Sequence, residues 1–527
     1  MFLDANSVPA GTIVEAELCI VGGGAAGITL AREFVSAGFR TVLLESGSKD
    51  FDPDTQELYK GSDVGRPYED LTTCRLRYFG GTTNHWGGWC RPLEAVDLEA
   101  REGLPYRGWP FDRAHLDPWY RRAQEVVQLG PYEYTPEKWG IPPAKITPPF
   151  GGPHFVTKIL QQSPPTRFGP VYEAELRAAE RVTVYLKANA LSFETGPSGR
   201  EVEQVKVGTL AGNRFSVKAK IFVLACGGVE NARLLLLSGG MSGNGLGNDH
   251  DLVGRFFMVH IVYSGGSVLL SAPYVNLDFY TGRGSATYNG FGKPHQFVSL
   301  VGLSPDSMRS LKLPNINVMW LYKFRGDATA FDALGRLTHF KDERGQVWSD
   351  LGTVFHNVDG IAEHYWRKAM HGQGLPVEAL LLNFSSEQLP NPDSRVTLGT
   401  ELDALGLRRV VVDWRVTAED RRLALETQRL LGAEVGRTGL GRLQMSLRDD
   451  SDSWPDGMYG DEHQMGTTRM HRDPLQGVVD ENCRLHGAAN LYVAGSSVFP
   501  TGGAANPTLT IVTLALRLAD HIKERMA

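Results

Sequence analysis

The sequence predicts an α/β domain of the Rossmann type sharing the chain with an α+β domain built on an antiparallel sheet. Three observations carry that prediction. A short apolar run, a glycine turn, a helical pattern and a second apolar run follow one another over residues 16–45. Long apolar or alternating runs of strand composition recur through residues 258–414. The C-terminal segment then returns to strand, turn and helix.

The elements follow in order. Residues 16–21 (AELCIV) form a short run bounded by glycine and without polar alternation, as in a parallel strand buried on both faces. The turn GGGAAG at 22–27 leads into a helical pattern that reaches Ala37 and closes on Gly38, and residues 41–44 (TVLL) form a second strand ending in Glu45. Residues 71–92 (LTTCRLRYFGGTTNHWGGWCRP) have no period and read as an ordered loop. Over residues 109–129, Leu116, Tyr120, Ala123 and Val127 recur at helical steps. The stretch GIPPAKITPPFGGP at 140–153 is the best linker candidate. Strand signals resume at Val182 with VTVYLKANALSFE, EVEQVKVGTL and FSVKAKIFVLACGG, followed by a helical ENARLLLLS. The runs HQFVSLVGL, NINVMWLYKF, EALLLNFSSEQ and RRVVVDWRV predict the antiparallel sheet, and a helix is expected over 418–432. Near the end, NLYVAGSSVFP reads as a strand entering the sheet edge, TGGAANP as a turn, and Pro507 as the first residue of a final helix.

Bulk properties narrow the function. A chain of 527 residues with 42% hydrophobic content can bury a large core, in two to four domains or in two that interrupt each other. The net charge of −6, with both signs interspersed, argues against a nucleic-acid partner or a polybasic membrane patch. No window approaches the roughly eighteen apolar residues of a membrane span, and the opening residues lack the pattern of a secretory signal. Five scattered cysteines without a CxxC pair read as reduced thiols of a cytoplasmic protein, and no metal site is expected.

Four constellations carry chemistry. In Gly22-x-Gly24-x-x-Gly27, the first glycine permits the turn, the second lets a pyrophosphate approach the backbone, and the third lets helix pack on strand. Glu45, at the end of the second strand, is placed to accept hydrogen bonds from an adenosine ribose, which favours FAD or NAD over NADP. The loop Gly80–Gly88 reads either as a packed surface loop or as a loop against a flavin. In the second case glycine gives access, Thr and Asn offer hydrogen bonds, and His85 touches the ring or is bonded to it. The run from Phe222 to Ala232 is either a plain strand-to-helix connection or a wall of the dinucleotide site. In the C-terminal constellation, HQMGTTRM and GAANP set His463 and Asn506 as a candidate polar pair, with the final helix directing its positive end toward a reduced flavin.

These residues resemble the glucose-methanol-choline (GMC) oxidoreductases over nearly the whole chain. The likeness rests on VGGGAAGITLAREFVSAGFRTVLLESG, the GGTTNHW loop, LVGRFFMVH at 252–260, and HQMGTTRM with NLYVAGSSVFPTGGAANPTLTI. Within the family the ending with Asn506 is most similar to pyranose 2-oxidase, choline oxidase and bacterial sugar dehydrogenases. The resemblance implies an α/β FAD-binding Rossmann-type domain interleaved with an α+β substrate domain built on an antiparallel sheet. The FAD-binding domain would comprise 1–110, 175–258 and 455–527, and the substrate-binding domain 111–174 and 259–454. It implies a catalytic His463 partnered by Asn506. Its expected cofactor-binding set is Gly22, Gly24, Ala26, Gly27, Glu45, Gly81, Thr82, Asn84, His85, Ala225, Gly495, Asn506, Pro507 and Thr508. His85 matches the position that carries covalent flavin in choline oxidase and pyranose 2-oxidase, while related sugar dehydrogenases leave that linkage open.

The expected reaction oxidises a primary or secondary alcohol of a sugar or glycoside. His463 takes the hydroxyl proton and hydride passes to flavin N5, with oxygen or another acceptor completing the cycle. The alternatives are a GMC-type lyase that holds FAD structurally, or oxidation of choline or an aminoglycoside hydroxyl. An NAD-dependent dehydrogenase and a non-enzymatic flavoprotein are weaker rivals. Substrate contacts are expected between His260 and Glu387 and nearby, where His356, His364, Tyr365, Trp366 and Gln388 stand out.

Overall fold

A computed structural model describes residues 1–146, 152–239, 243–272, 275, 277, 279–281, 286–290, 293–324, 333, 347–371 and 377–527. Among them a parallel six-stranded sheet runs in the order Phe2–Asp4, Val182–Leu186, Thr41–Leu44, Leu18–Val21, Ile221–Leu224, Leu491–Val493. The four middle strands carry the apolar runs expected of strands buried on both faces. Ala25–Glu33 follows Leu18–Val21, and the final helix Thr508–Met526 packs on it. Pro507 caps this last helix and so stands one residue before its first turn, not in it. Only Leu491–Val493 of the predicted C-terminal strand is extended, and it lies at the sheet edge. A smaller sheet runs in the order Ile13–Glu15, Arg214–Lys218, Val202–Gly208, Asn189–Thr195.

The second large sheet runs Gly441–Met445, His260–Leu270, Val377–Glu387, Ile316–Phe324, Lys293–Leu303, Phe155–Gln162, Trp89–Cys90, with Ala286–Gly290 and Tyr459–Gly460 beside this path. Every pairing in it is antiparallel. The run predicted at 408–416 leaves this sheet. Arg408–Asp413 pairs instead with Arg395–Leu402 and, in parallel, with Ser62–Asp63. The helix predicted over 418–432 extends to Ala418–Arg437, started by a capping box between Thr417 and Asp420. The linker candidate holds a short helix, Pro143–Ile146, before it passes outside the described residues.

Two large apolar cores correspond to the two sheets. Helix Arg113–Val126, in the segment 111–174 that the resemblance gives to substrate binding, joins the core of the parallel sheet. Its stripe of Leu116, Tyr120 and Ala123 is buried there. Its polar groups reach the final helix, with Trp119 donating to Asp520 at 2.8 Å and Tyr120 meeting the Thr510 hydroxyl at 2.7 Å. Amphipathicity fixes which face is buried, but not against which sheet. No helix among the described residues is long and apolar enough to cross a membrane, and their five cysteines are all free.

Candidate active site

A cavity of about 630 Å³ opens where the parallel strands end and runs to the seam between the sheets. Its first wall is the glycine turn. Gly22 has φ +106°, and a Cβ there would meet the Ala225 carbonyl oxygen at 2.6 Å. At Gly27 a Cβ would sit 1.8 Å from the Gly22 carbonyl oxygen, so only glycine lets helix and turn touch. Gly24, the N-cap of Ala25–Glu33, has nothing within 4 Å of where a Cβ would lie. Free helix N–H groups thus border open space, the arrangement that suits a phosphate.

Glu45 is buried and lines the cavity. Its carboxylate accepts N–H bonds from Gly23 at 2.8 Å and Gly47 at 2.7 Å, while burial raises its pKa. The side chain therefore first ties the glycine turn to its own strand end, and each oxygen keeps a second acceptor site for a ribose. Beside it the Arg77 Nε–H donates to the Ser46 hydroxyl at 2.6 Å. Glu230 lies within ion-pair reach of Arg75, Arg77 and Arg233. Burial alone would raise the Glu230 pKa, but the guanidinium groups hold it down at about 2. Arg75, Arg77, Glu230 and Arg233 all line the cavity, and sequence reasoning singled out none of them.

The loop Gly80–Gly88 folds against the glycine turn, with Gly80 N–H donating to the Gly23 carbonyl at 2.8 Å. Gly81, Thr82 and His85 line the cavity, and partial burial lowers the His85 pKa. Asn84 does not line it. Its amide donates to the Phe79 carbonyl at 3.0 Å and holds the loop's own turn. That bond gives the side chain a loop-shaping role. Gly27 likewise lies behind the wall, while Ala26, Ala225, Gly495, Pro507 and Thr508 border the cavity. Asn231 ties two of these wall segments together, accepting from Cys226 N–H at 2.7 Å and donating to the Ala494 carbonyl at 3.0 Å.

At the seam His463 and Asn506 face each other, with Asn506 Nδ2 3.3 Å from His463 Nε2. Behind His463 stands Asp461. Its Oδ2 contacts Nδ1 of His463 and lies 3.1 Å from Nδ1 of His260. Its Oδ1 accepts the backbone N–H of His260 at 3.0 Å and of His463 at 3.1 Å. Burial works against the Asp461 charge, but the two imidazoles hold its pKa far below the usual carboxylate range. For His260, burial opposes the charged form, yet the Asp461 carboxylate prevails and raises its pKa. Paired backbone bonds between Met258 and Met465 bring these distant segments together, at 2.9 and 3.1 Å.

The turn 501–506 is anchored from two strands of the other sheet and from the short helix Ala95–Leu98. Gly503 N–H donates to Glu387 at 3.1 Å, Asn317 donates to the Ala504 carbonyl at 2.5 Å, and Thr501 donates to the Asp97 carbonyl at 2.7 Å.

None of the described residues expected to contact substrate lines the cavity. Gln388 is buried and bonded to Trp414 and the Arg415 carbonyl, and His356, Tyr365 and Trp366 lie on exposed helix surface. The His364 side chain lies outside the described residues. Trp86, Trp89, Glu462 and Gln464 line the cavity instead.

Residues 390–515 match the family model described as GMC oxidoreductase. The 2-methyl-1,2-propanediol dehydrogenase of Mycolicibacterium austroafricanum is 25% identical over 97% of this chain and 96% of its own length. The fructose dehydrogenase large subunit of Gluconobacter japonicus is 24% identical over 97% and 98%. Among solved structures, pyridoxine 4-oxidase from Mesorbium loti superposes with a TM-score of 0.52 at 18% identity, covering 96% of this chain and 98% of that one.

Proposed function

We propose, on the premise that this chain belongs to the glucose-methanol-choline oxidoreductases and is an FAD-dependent enzyme acting on CH–OH groups, that it oxidises a primary or secondary hydroxyl of a sugar or glycoside to the carbonyl. The observation that carries the reading is the His463–Asn506 pair, 3.3 Å apart at the wall of the cavity that also holds the glycine turn. One hydroxyl oxygen about 2.8 Å from each nitrogen would complete a triangle with them. His463 Nε2 takes the hydroxyl proton, because a neutral imidazole is the side chain suited to that transfer near neutral pH. The Asn506 amide donates to the same oxygen and holds it as its charge develops.

FAD fits the glycine turn, where Gly24 leaves its backbone open to a pyrophosphate, and Glu45 keeps acceptor sites for a ribose. When bound, the flavin supplies the acceptor for the hydride of the carbinol carbon. In this reading 1–110, 175–258 and 455–527 bind the cofactor, and 111–174 and 259–454 supply the substrate side. His85 is the residue that would carry a covalent bond to the flavin. It lines the cavity, and burial favours its neutral, nucleophilic form. The sugar class rests on the fructose dehydrogenase relative, and the diol dehydrogenase relative favours a smaller alcohol as the second reading.

The deciding experiment records the flavin spectrum anaerobically while sugars, glycosides, aminoglycosides, choline and simple diols are added in turn. Bleaching by sugars or glycosides supports the proposal, and bleaching by diols alone selects the second reading. A bound flavin that no alcohol bleaches refutes both. Admitting air then separates an oxidase from a dehydrogenase.

A further inference from the structure

The carboxylate of Asp461 is saturated by four donors. Two backbone N–H groups hold Oδ1, and the Nδ1 atoms of two imidazoles meet at Oδ2. The Nδ1 atoms of His260 and His463 lie 3.0 Å apart, a distance that would otherwise invite a bond between them. An ionised carboxylate has only lone pairs to offer, so each imidazole satisfies it best by presenting Nδ1–H. The other nitrogen of His463 gives the same answer independently. Nε2 faces the Asn506 amide N–H and must therefore accept.

We propose that Asp461 is a positioning residue that acts through His463, holding the base in the tautomer whose Nε2 lone pair faces the substrate, and that His260 locks the carboxylate by donating to the same oxygen. This rests on the reading of His463 as the base. The arrangement has two consequences. With Nδ1–H tied to Asp461, the proton leaving the alcohol can land only on Nε2, and the resulting imidazolium lies against a fixed negative charge. His260 is buried, and its ring meets Asp461 on one side and the backbone of Gly502, in the turn that carries Asn506, on the other.

The test uses flavin-loaded protein labelled with [15N]histidine, in which long-range 1H–15N correlation identifies which ring nitrogen carries hydrogen. His463 is assigned by its loss in His463→Gln. The expected wild-type spectrum at neutral pH shows a protonated Nδ1 and an unprotonated Nε2. In Asp461→Asn the proton should redistribute toward Nε2. Anaerobic flavin bleaching by methyl β-D-glucopyranoside should then slow roughly 10²–10⁴-fold, with part of the rate restored in Asp461→Glu. A wild-type His463 protonated on Nε2 overturns the proposal, as does an Asp461→Asn protein whose His463 nitrogens are unchanged. The wild-type spectrum decides alone if the Asn variant does not fold. A His463→Gln enzyme that bleaches at near wild-type rate overturns the base assignment itself, whatever the nitrogens show.

Discussion

Glu387 offers the sharpest test of how the turn bearing Asn506 is held. It closes strand Val377–Glu387, and neither its side chain nor that of Arg107 has any exposure. Arg107 meets it at 3.0 Å, Arg101 approaches to 4.0 Å, and the N–H groups of Gly503 and Asn315 donate to it at 3.1 Å. Glu387→Gln keeps the shape and an oxygen for Gly503 but removes the charge. Among the hydrogen bonds of the described residues, Arg107 donates only to Glu387. Burial and the neighbouring carboxylates raise the Asp97 pKa to about 6, so Asp97 is still largely ionised at pH 7, but it makes no hydrogen bond to Arg107 and cannot take the place of Glu387. Leaving a buried cation without its partner costs about 3–5 kcal/mol. At about 2–4 °C per kcal/mol for a cooperative unit of roughly 150–250 residues, Tm should fall by about 6–20 °C.

Differential scanning calorimetry on the flavin-loaded protein reads that shift. The double variant Arg107→Met with Glu387→Leu should recover much of it, since it removes both charges. The linkage gives a second check. Burial works against the Glu387 charge, but Arg107 and Arg101 prevail and hold its pKa below the usual carboxylate value. Its contribution is therefore present above the unfolded pKa of about 4.3 and fades as pH falls through the folded value. Wild type and Glu387→Gln should converge in acid. A Glu387→Gln protein whose Tm stays within about 2 °C of wild type at pH 7 would refute the claim that Arg107 depends on this partner.

Three further outcomes are expected. His463→Ala should bind FAD normally and lose roughly 10²–10⁴-fold in anaerobic flavin reduction, and near-full turnover would remove it as the base. Gly27→Ala should cost about 1–3 kcal/mol and lower the flavin content of purified protein, because its Cβ would stand 1.8 Å from the Gly22 oxygen. If His85 carries the flavin, acid-precipitated wild type will be yellow and His85→Ala colourless, whereas a colourless wild-type pellet excludes the bond.

What the sequence shows and hides follows from how local each constraint is. Gly22 and Gly27 are legible because one takes a positive φ and the other has no room for a Cβ within the same turn, Gly24 because a helix N-terminus left open suits a phosphate, and Glu45 because the end of a strand is set by the strand itself. His463 and Asn506 were legible as a pair only through a familiar pattern, since nothing in their local sequence brings them together. Asp461 was hidden although it is two residues from His463, for its significance depends on His260, which a backbone bridge between 258 and 465 delivers from far away. The ion cluster around Glu230 was hidden for the same reason, being assembled from a loop and a helix far apart in the chain. The bond from Asn84 to Phe79 was not legible, because a short amide in a glycine-rich loop serves a ligand and the loop's own carbonyls equally well.

The two members of the candidate pair thus rest on different supports. His463 is backed by a carboxylate fixed to the first residue of strand His260–Leu270, whereas Asn506 rides a turn pinned to Glu387 and Asn317 on two other strands of the same sheet. A disturbance at Asp461 should therefore change which nitrogen accepts the proton and leave the amide in place. A disturbance at Glu387 should move the amide first and reach the His463 nitrogens only through His260, its cross-strand partner. If both variants altered the His463 nitrogens alike, the supports would not be separate, and the pair would have to be treated as one network with a single coupled response.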